Sequence, residues 1–230
     1  MKGAWAWQRL TATTVAVFVM SGVAACGQNE FTYIRDREGT TYFKVPSSFS
    51  KVDSYPIDLF LNGHDPASAA AAEARNRVWS TAFDRAEEPN AAHLLGSAEP
   101  FVYATVHKLD DEERGWVSLN RLRDFFLPVT KERRAMLAEQ AQAFGQQPPF
   151  TNFELLLDEP VTRDGGRGVH VRFNYRFKDT VQTFDLTSLL DEAGDTVSAL
   201  VISCQTQCFQ ARMAEIDRIK DSFKLIRLPG

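Results

Sequence analysis

The sequence is poor in the residues that carry most enzyme chemistry: its 230 residues include only 3 Cys and 4 His. It contains no GxSxG elbow, no HExxH pair, no P-loop and no GxGxxG turn leading into a helix. The four histidines, His64, His93, His107 and His170, show no paired spacing to one another or to the cysteines. No metal set and no cofactor site is therefore expected. Neither sign of charge dominates. Lys+Arg 26 against Asp+Glu 30 gives a net charge of −4 and a pI ≈ 5.6, which leaves no basic field for nucleic acid. Internal repeats and low-complexity tracts are absent, and 44% apolar with 24% charged residues is the composition of a folded globular protein. The length fits one large domain better than two small ones.

What is present is most specific at the amino terminus. Lys2 and Arg9 precede Thr11 to Val23, a run without charge whose length suits the apolar region of a signal peptide. A membrane-spanning helix is the competing reading. Against it stand four hydroxyl residues (Thr11, Thr13, Thr14, Ser21), the closing small residues and the polar Gly27-Gln28-Asn29-Glu30 that follow. The run ends in Val23-Ala24-Ala25-Cys26, which resembles the bacterial lipobox. That resemblance implies a diacylglyceryl thioether on Cys26, cleavage before it, and a mature chain anchored to the extracytoplasmic face of the cell membrane. Two acyl chains hold a protein on a membrane stably where one does not. Loss of residues 1–25 removes Lys2 and Arg9 and no acid, leaving 24 cations against 30 anions, or −6. Anionic headgroups would repel such a domain, so the lipid must do the holding. The expected plan is a signal peptide over 1–25, a tether over 26–30, and a single α+β domain over 31–230 with a helical insertion at about 60–150.

With Cys26 acylated, Cys204 and Cys208 remain. Outside the membrane a disulfide between them is the expected state, a local clip at a strand-to-helix corner. A CxxxC pair holds copper in some thioredoxin-like chaperones, but those place a proline after the second Cys and add a distant His. Here Phe209 follows.

The apolar pattern predicts a hairpin from Phe31–Ile34 and Thr41–Val45 across Asp36-Arg37-Glu38-Gly39. Asp65 and Pro66 read as the cap and first position of an Ala-rich helix running to Phe83. Phe101 to His107 reads as a strand, and Asp110-Asp111-Glu112-Glu113-Arg114 as a charged, solvated turn. Ser118 and Thr130 are positioned to cap two helices, the first halted by Pro128, the second running to Phe144 and closed by Gly145. Val169, Val171, Phe173, Tyr175 and Phe177 alternate with His170, Arg172, Asn174, Arg176 and Lys178, a period-two strand with one buried face and one wet, positive face. Thr196–Ser203 suits a strand covered on both sides. Phe209, Met213, Ile216, Ile219 and Phe223 mark the stripe of a last helix. This order implies an α+β fold, a mainly antiparallel β-sheet sandwiched by helices.

Three places, the lipobox, the opening Arg37-Glu38-Gly39-Thr40-Thr41-Tyr42-Phe43-Lys44-Val45-Pro46-Ser47-Ser48-Phe49 and the close Ile219-Lys220-Asp221-Ser222-Phe223-Lys224-Leu225, together resemble the PsbP-like proteins, and within them the lipoproteins of high-GC Gram-positive bacteria. The resemblance implies a PsbP-like α/β/α fold from about 31 to 228 and a binding or scaffolding role. It carries no catalytic set over to this chain. Two features of the sequence suggest where binding could occur. His170, Arg172, Arg176 and Lys178 form a candidate anion-binding face. Trp79, Phe83, Trp116, Phe125 and Phe126 could line a pocket instead of a core. The leading expectation is a non-enzymatic lipoprotein that binds an envelope protein or glycolipid partner. The alternative is a carrier of a lipid or glycolipid in an internal apolar cavity.

Overall fold

The computed structural model describes residues 29–62 and 68–226. The segment 1–25 expected to be a signal peptide, Cys26, His64 and the expected Asp65-Pro66 cap lie outside the described residues. A seven-stranded sheet forms the centre, in the order β3(Ser50–Val52), β4(Val78–Asp84), β5(Phe101–Lys108), β9(Thr196–Gln205), β8(Thr180–Asp191), β7(Gly166–Phe177), β6(Thr151–Arg163). Every pairing in it is antiparallel. A second sheet, β1(Phe31–Arg35), β2(Thr41–Pro46) and β10(Lys224–Leu225), contains the expected hairpin.

Both faces of the large sheet are covered. One packs Phe83, Val102, Leu200 and Ile202 against the three-stranded sheet and against α6(Thr206–Ala211) and α7(Met213–Ser222). The other packs Tyr103, Val171, Phe173, Phe184 and Val201 against α1(Tyr55–Asn62), the 3-10 turn Ala91–Leu95 and Phe126-Leu127. Each fully buried Phe or Leu in these layers contributes about 1.5–3 kcal/mol, and the fold rests on their sum. The architecture is thus α+β with a large antiparallel sheet, one face of which is roofed partly by strands instead of helices alone.

The central hairpins are set by tight turns and close strand approach. Asp164-Gly165 joins β6 to β7 with Gly165 at φ 87, a backbone that favours glycine. A Cβ on Gly168 would lie 1.8 Å from the Ser188 carbonyl oxygen, so strands β7 and β8 could not pair as they do with any larger residue there. The Asp191 carboxylate accepts from the amides of Gly194, Asp195 and Thr196 and so closes the β8–β9 turn.

Four expectations need correction. The helix expected to reach Phe83 is α2(Ala69–Arg77) and stops at Arg77. Val78-Trp79-Ser80-Thr81-Ala82-Phe83 is aromatic and β-branched, and pairing with β5 overrides the Ala-rich pattern before it. Consequently the stretch 60–150 is not a helical insertion, because it supplies β4 and β5 of the main sheet. The charged turn is the start of α3(Asp111–Trp116), where Asp110 and Glu113 form a reciprocal capping box and Arg77 bridges both carboxylates. The last helix breaks at Arg212 into α6 and α7. By contrast, α4(Leu119–Arg123) and α5(Lys131–Ala143) begin where expected, with Ser118 Oγ accepting from Arg121 N–H and Thr130 Oγ1 from Arg133 N–H. Gly145 follows α5 at φ 64.

Candidate functional site

The alternating strand β7 places two of its charges, His170 and Arg172, beneath helix α7 and not in open water. His170 is 4% exposed and Asp185, on β8, 1%. His170 Nε2 lies 3.0 Å from Asp185 Oδ1, and Nδ1 lies 3.0 Å from Glu159 Oε1 on edge strand β6. Only the imidazolium donates from both nitrogens. Burial pushes His170 down, but the Asp185 and Glu159 carboxylates outweigh it and hold the ring above its ordinary value. Arg172 donates from Nε to Asp185 Oδ2 at 2.8 Å, reaches Asp217 of α7 at 3.6 Å and stacks over Phe209. Lys220 pairs with Asp217 at 3.2 Å. Three cations thus meet three carboxylates in one layer.

Arg176 and Lys178 take no part in that layer. Arg176 sits near the Asp179 carbonyl, and Lys178, at φ 52 in the hairpin turn, lies over the Phe177 ring. The face expected to collect an anion is therefore divided. Its inner half already holds its own anions, because Asp185 and Asp217 come from elements that an alternation within one strand cannot reveal.

The Sγ atoms of Cys204 and Cys208 are bonded, with Cα atoms 6.0 Å apart, joining the end of β9 to α6. Of the remaining histidines, His93 Nδ1 lies 2.6 Å from Asp84 Oδ2. Asp84 also accepts the Ala86 and Asn90 amides, so the contact buckles a loop. His107 stands 3.8 Å from Glu113 and is lowered by burial. Among the described residues no group of three or more His, Cys, Asp or Glu is arranged to hold a metal ion. The five aromatics considered together in the sequence are scattered. Phe83 and Trp79 belong to one core layer and Phe126 to the other, while Trp116 is exposed.

Phe125 and Phe126 do line a groove, together with aromatics from elsewhere in the chain that the sequence pattern does not single out. Between α5, the end of α1, the loop 124–128 and the start of β6 lies an open space of about 650 Å³. Phe60, Leu61, Phe125, Leu137, Ala141, Phe144, Phe150, Phe153 and Tyr175 line it, with Arg133 and Arg134 on the α5 side. Its floor continues the core. Phe184, Phe173, Phe153, Tyr175, Phe150 and Phe60 form a chain of ring contacts with centroid separations of 5.2–6.2 Å. A regular strand would send Phe150 and Phe153 to opposite sides. Here Asn152 adopts φ 52, and the β6–β7 register shifts between Thr151 and Glu154, so both rings enter the groove.

The groove's far wall is α5, a helix none of whose residues is buried. Its anchorage is local: Asp124 accepts from the Val129 and Thr130 amides and from Thr130 Oγ1 at 2.6–2.8 Å, and Arg134 donates to the Val129 carbonyl. The Tyr175 hydroxyl donates to Pro128 O, and burial raises it above its ordinary value. Where the sequence suggested an internal apolar cavity, the described residues present a groove open along one side above a buried aromatic core.

No family model matches the chain, and no curated protein matches it in sequence. Among solved structures, the chain is similar to cyanobacterial PsbP (CyanoP) from Synechocystis sp. PCC 6803, at 12% identity, over 90% of this chain and 99% of that one, with a TM-score of 0.51. LpqN, involved in cell envelope biogenesis of Mycobacterium tuberculosis, aligns at 12% identity over 86% of this chain and 91% of its own, with a TM-score of 0.46. The Saccharomyces cerevisiae Ran-binding protein Mog1p aligns at 10% identity over 85% and 95%, with a TM-score of 0.40. The fold is PsbP-like, as the two ends of the sequence implied.

Proposed function

We propose that the chain is a non-enzymatic binding module of the cell envelope, anchored outside the membrane by lipid on Cys26, and that the groove beneath α5 is its binding site. The observation that carries the reading is the helix itself. A helix in a folded protein gains most of its stability by packing a face, yet α5 buries no residue, and its Leu137 and Ala141, with Phe144 at its C-cap, line open space. An apolar occupant would complete that packing. The Cys204–Cys208 bridge supports an oxidising compartment. The buried charges are matched within structural contacts, which favours binding over catalysis. A lipid or glycolipid carrier is the second reading, favoured by the groove's apolar lining, with the ligand held partly exposed.

Two measurements test this. Cys26→Ser should shift the protein from the membrane fraction to the medium or leave it unprocessed, and unchanged membrane attachment refutes the anchor. Titration with monomeric dodecyl maltoside should move amide resonances confined to 124–153 and the end of α1, and Ala141→Trp, which fills the groove, should abolish the effect. Shifts scattered over the surface, or unaffected by Ala141→Trp, refute the site.

A further inference from the structure

Resting on the groove as binding site, we infer that its ligand is a single-chain amphiphile with an anionic oxyanion head, the chain lying in the groove and the head against Lys131, Arg133 and Arg134. Beside the groove lies a second, polar depression of about 410 Å³, lined by Asn120, Arg123, Thr130, Lys131, Glu132 and Asp158 among others. The two spaces share a wall: Arg134 and Phe153 line both, with the guanidinium stacked 3.8 Å from the ring centroid. An apolar trough therefore passes across one stacked pair into a charged bay, the profile of an amphiphile. The trough's size falls in the range of roughly 300–1,000 Å³ typical of small-molecule sites.

The charges select the head. Arg77, Arg85, Arg123, Arg172 and Arg212 each meet a carboxylate. Arg123 uses both Asp158 oxygens at 2.9 Å, so that pair is neutral within the bay. Lys131, Arg133 and Arg134 differ. Among the described residues none of the three has a carboxylate within ion-pair distance; Arg133 reaches only the Met136 sulfur, and Arg134 the Val129 carbonyl. They also occupy the first turn of α5, the positive end of its dipole, where a cation is disfavoured and an anion welcome. A phosphate, sulfate or carboxylate would accept charge-assisted hydrogen bonds from them. A neutral sugar head would leave them as they are.

The test compares two probes of equal chain length, dodecyl phosphate and dodecyl maltoside, below their micelle concentrations, by calorimetry on the mature domain. Dodecyl phosphate should bind about tenfold tighter or more. Lys131→Gln with Arg133→Gln should bring its affinity down to that of the maltoside for the same variant. Inorganic phosphate at the same concentration should not compete. Equal affinities for the two alkyl probes, or a preference that survives the double variant, overturns the head assignment and leaves the groove reading intact. Inorganic phosphate binding as tightly as dodecyl phosphate overturns the amphiphile in favour of a free anion. Failure of both alkyl probes to bind overturns groove and head together, and leaves the groove to a macromolecular partner.

Discussion

Two regions flanking strand β7 treat arginine in opposite ways. Under α7, Arg172 is drawn in and clamped by Asp185 and Asp217, with His170, Glu159 and Lys220 completing a balanced layer. Under α5, Arg133 and Arg134 stand beside an aromatic trough with no carboxylate within ion-pair distance among the described residues. The first region obeys the rule that a buried charge needs a partner; the second is solvent-accessible, so no partner is required for folding. Charge that is matched inside the fold holds structure. Charge left unmatched beside an apolar groove is available to a ligand.

The contrast breaks most readily at Asp185. Asp185→Ala leaves His170 and Arg172 buried without their common anion, and should cost about 3–5 kcal/mol in urea unfolding. A loss below about 1 kcal/mol would mean that the layer is not structural. Next in size is the clip at the end of β9. Cys204→Ala with Cys208→Ala opens a short loop of sequence separation 4, and the chain-entropy relation gives a cost of about 2 kcal/mol. Smaller again is a pH effect. His170 is raised in the fold, so its charge stabilises fully below its free value near 6.5 and the contribution is lost as pH rises through the raised value. Urea midpoints of the wild type should therefore fall with rising pH relative to His170→Gln. Parallel profiles would show that Asp185, Glu159, Arg172 and Lys220 set the layer without the imidazole.

Local signals in the sequence were legible, and long-range ones were not. Ser118 and Thr130 cap their helices because a hydroxyl three residues before an amide is a local geometry. The alternation from Val169 to Phe177 declares a strand for the same reason. It cannot declare what covers the polar side, since Asp217 arrives from a helix some forty positions later. The β4 error has a similar origin: an Ala-rich helix pattern ran into Val78–Phe83, whose strand pairing is supplied by β5 beyond a loop. Asp110 and Glu113, with the Asp-x-x-Glu spacing of a capping box, were a signal present and missed. The groove was legible only at Phe125 and Phe126. Phe150 and Phe153 share it only through the bulge at Asn152, and Phe60 joins from the other end of the domain.

The smallest effect expected on stability is at Phe144, and it sharpens the comparison most. Phe144 is 73% exposed at the end of α5 and lines the groove. Were it ordinary packing, Phe144→Ser would destabilise as a core aromatic does, by about 3–5 kcal/mol for truncation. Because its ring covers open space, the change should stay within about 0.5 kcal/mol in urea unfolding. The same variant should weaken dodecyl maltoside binding, since it removes apolar wall from the trough without touching Lys131, Arg133 or Arg134. A residue that leaves folding untouched yet alters affinity is placed there for a ligand. Destabilisation above about 1 kcal/mol with affinity unchanged would instead make α5 a piece of the core and return the groove to a packing defect.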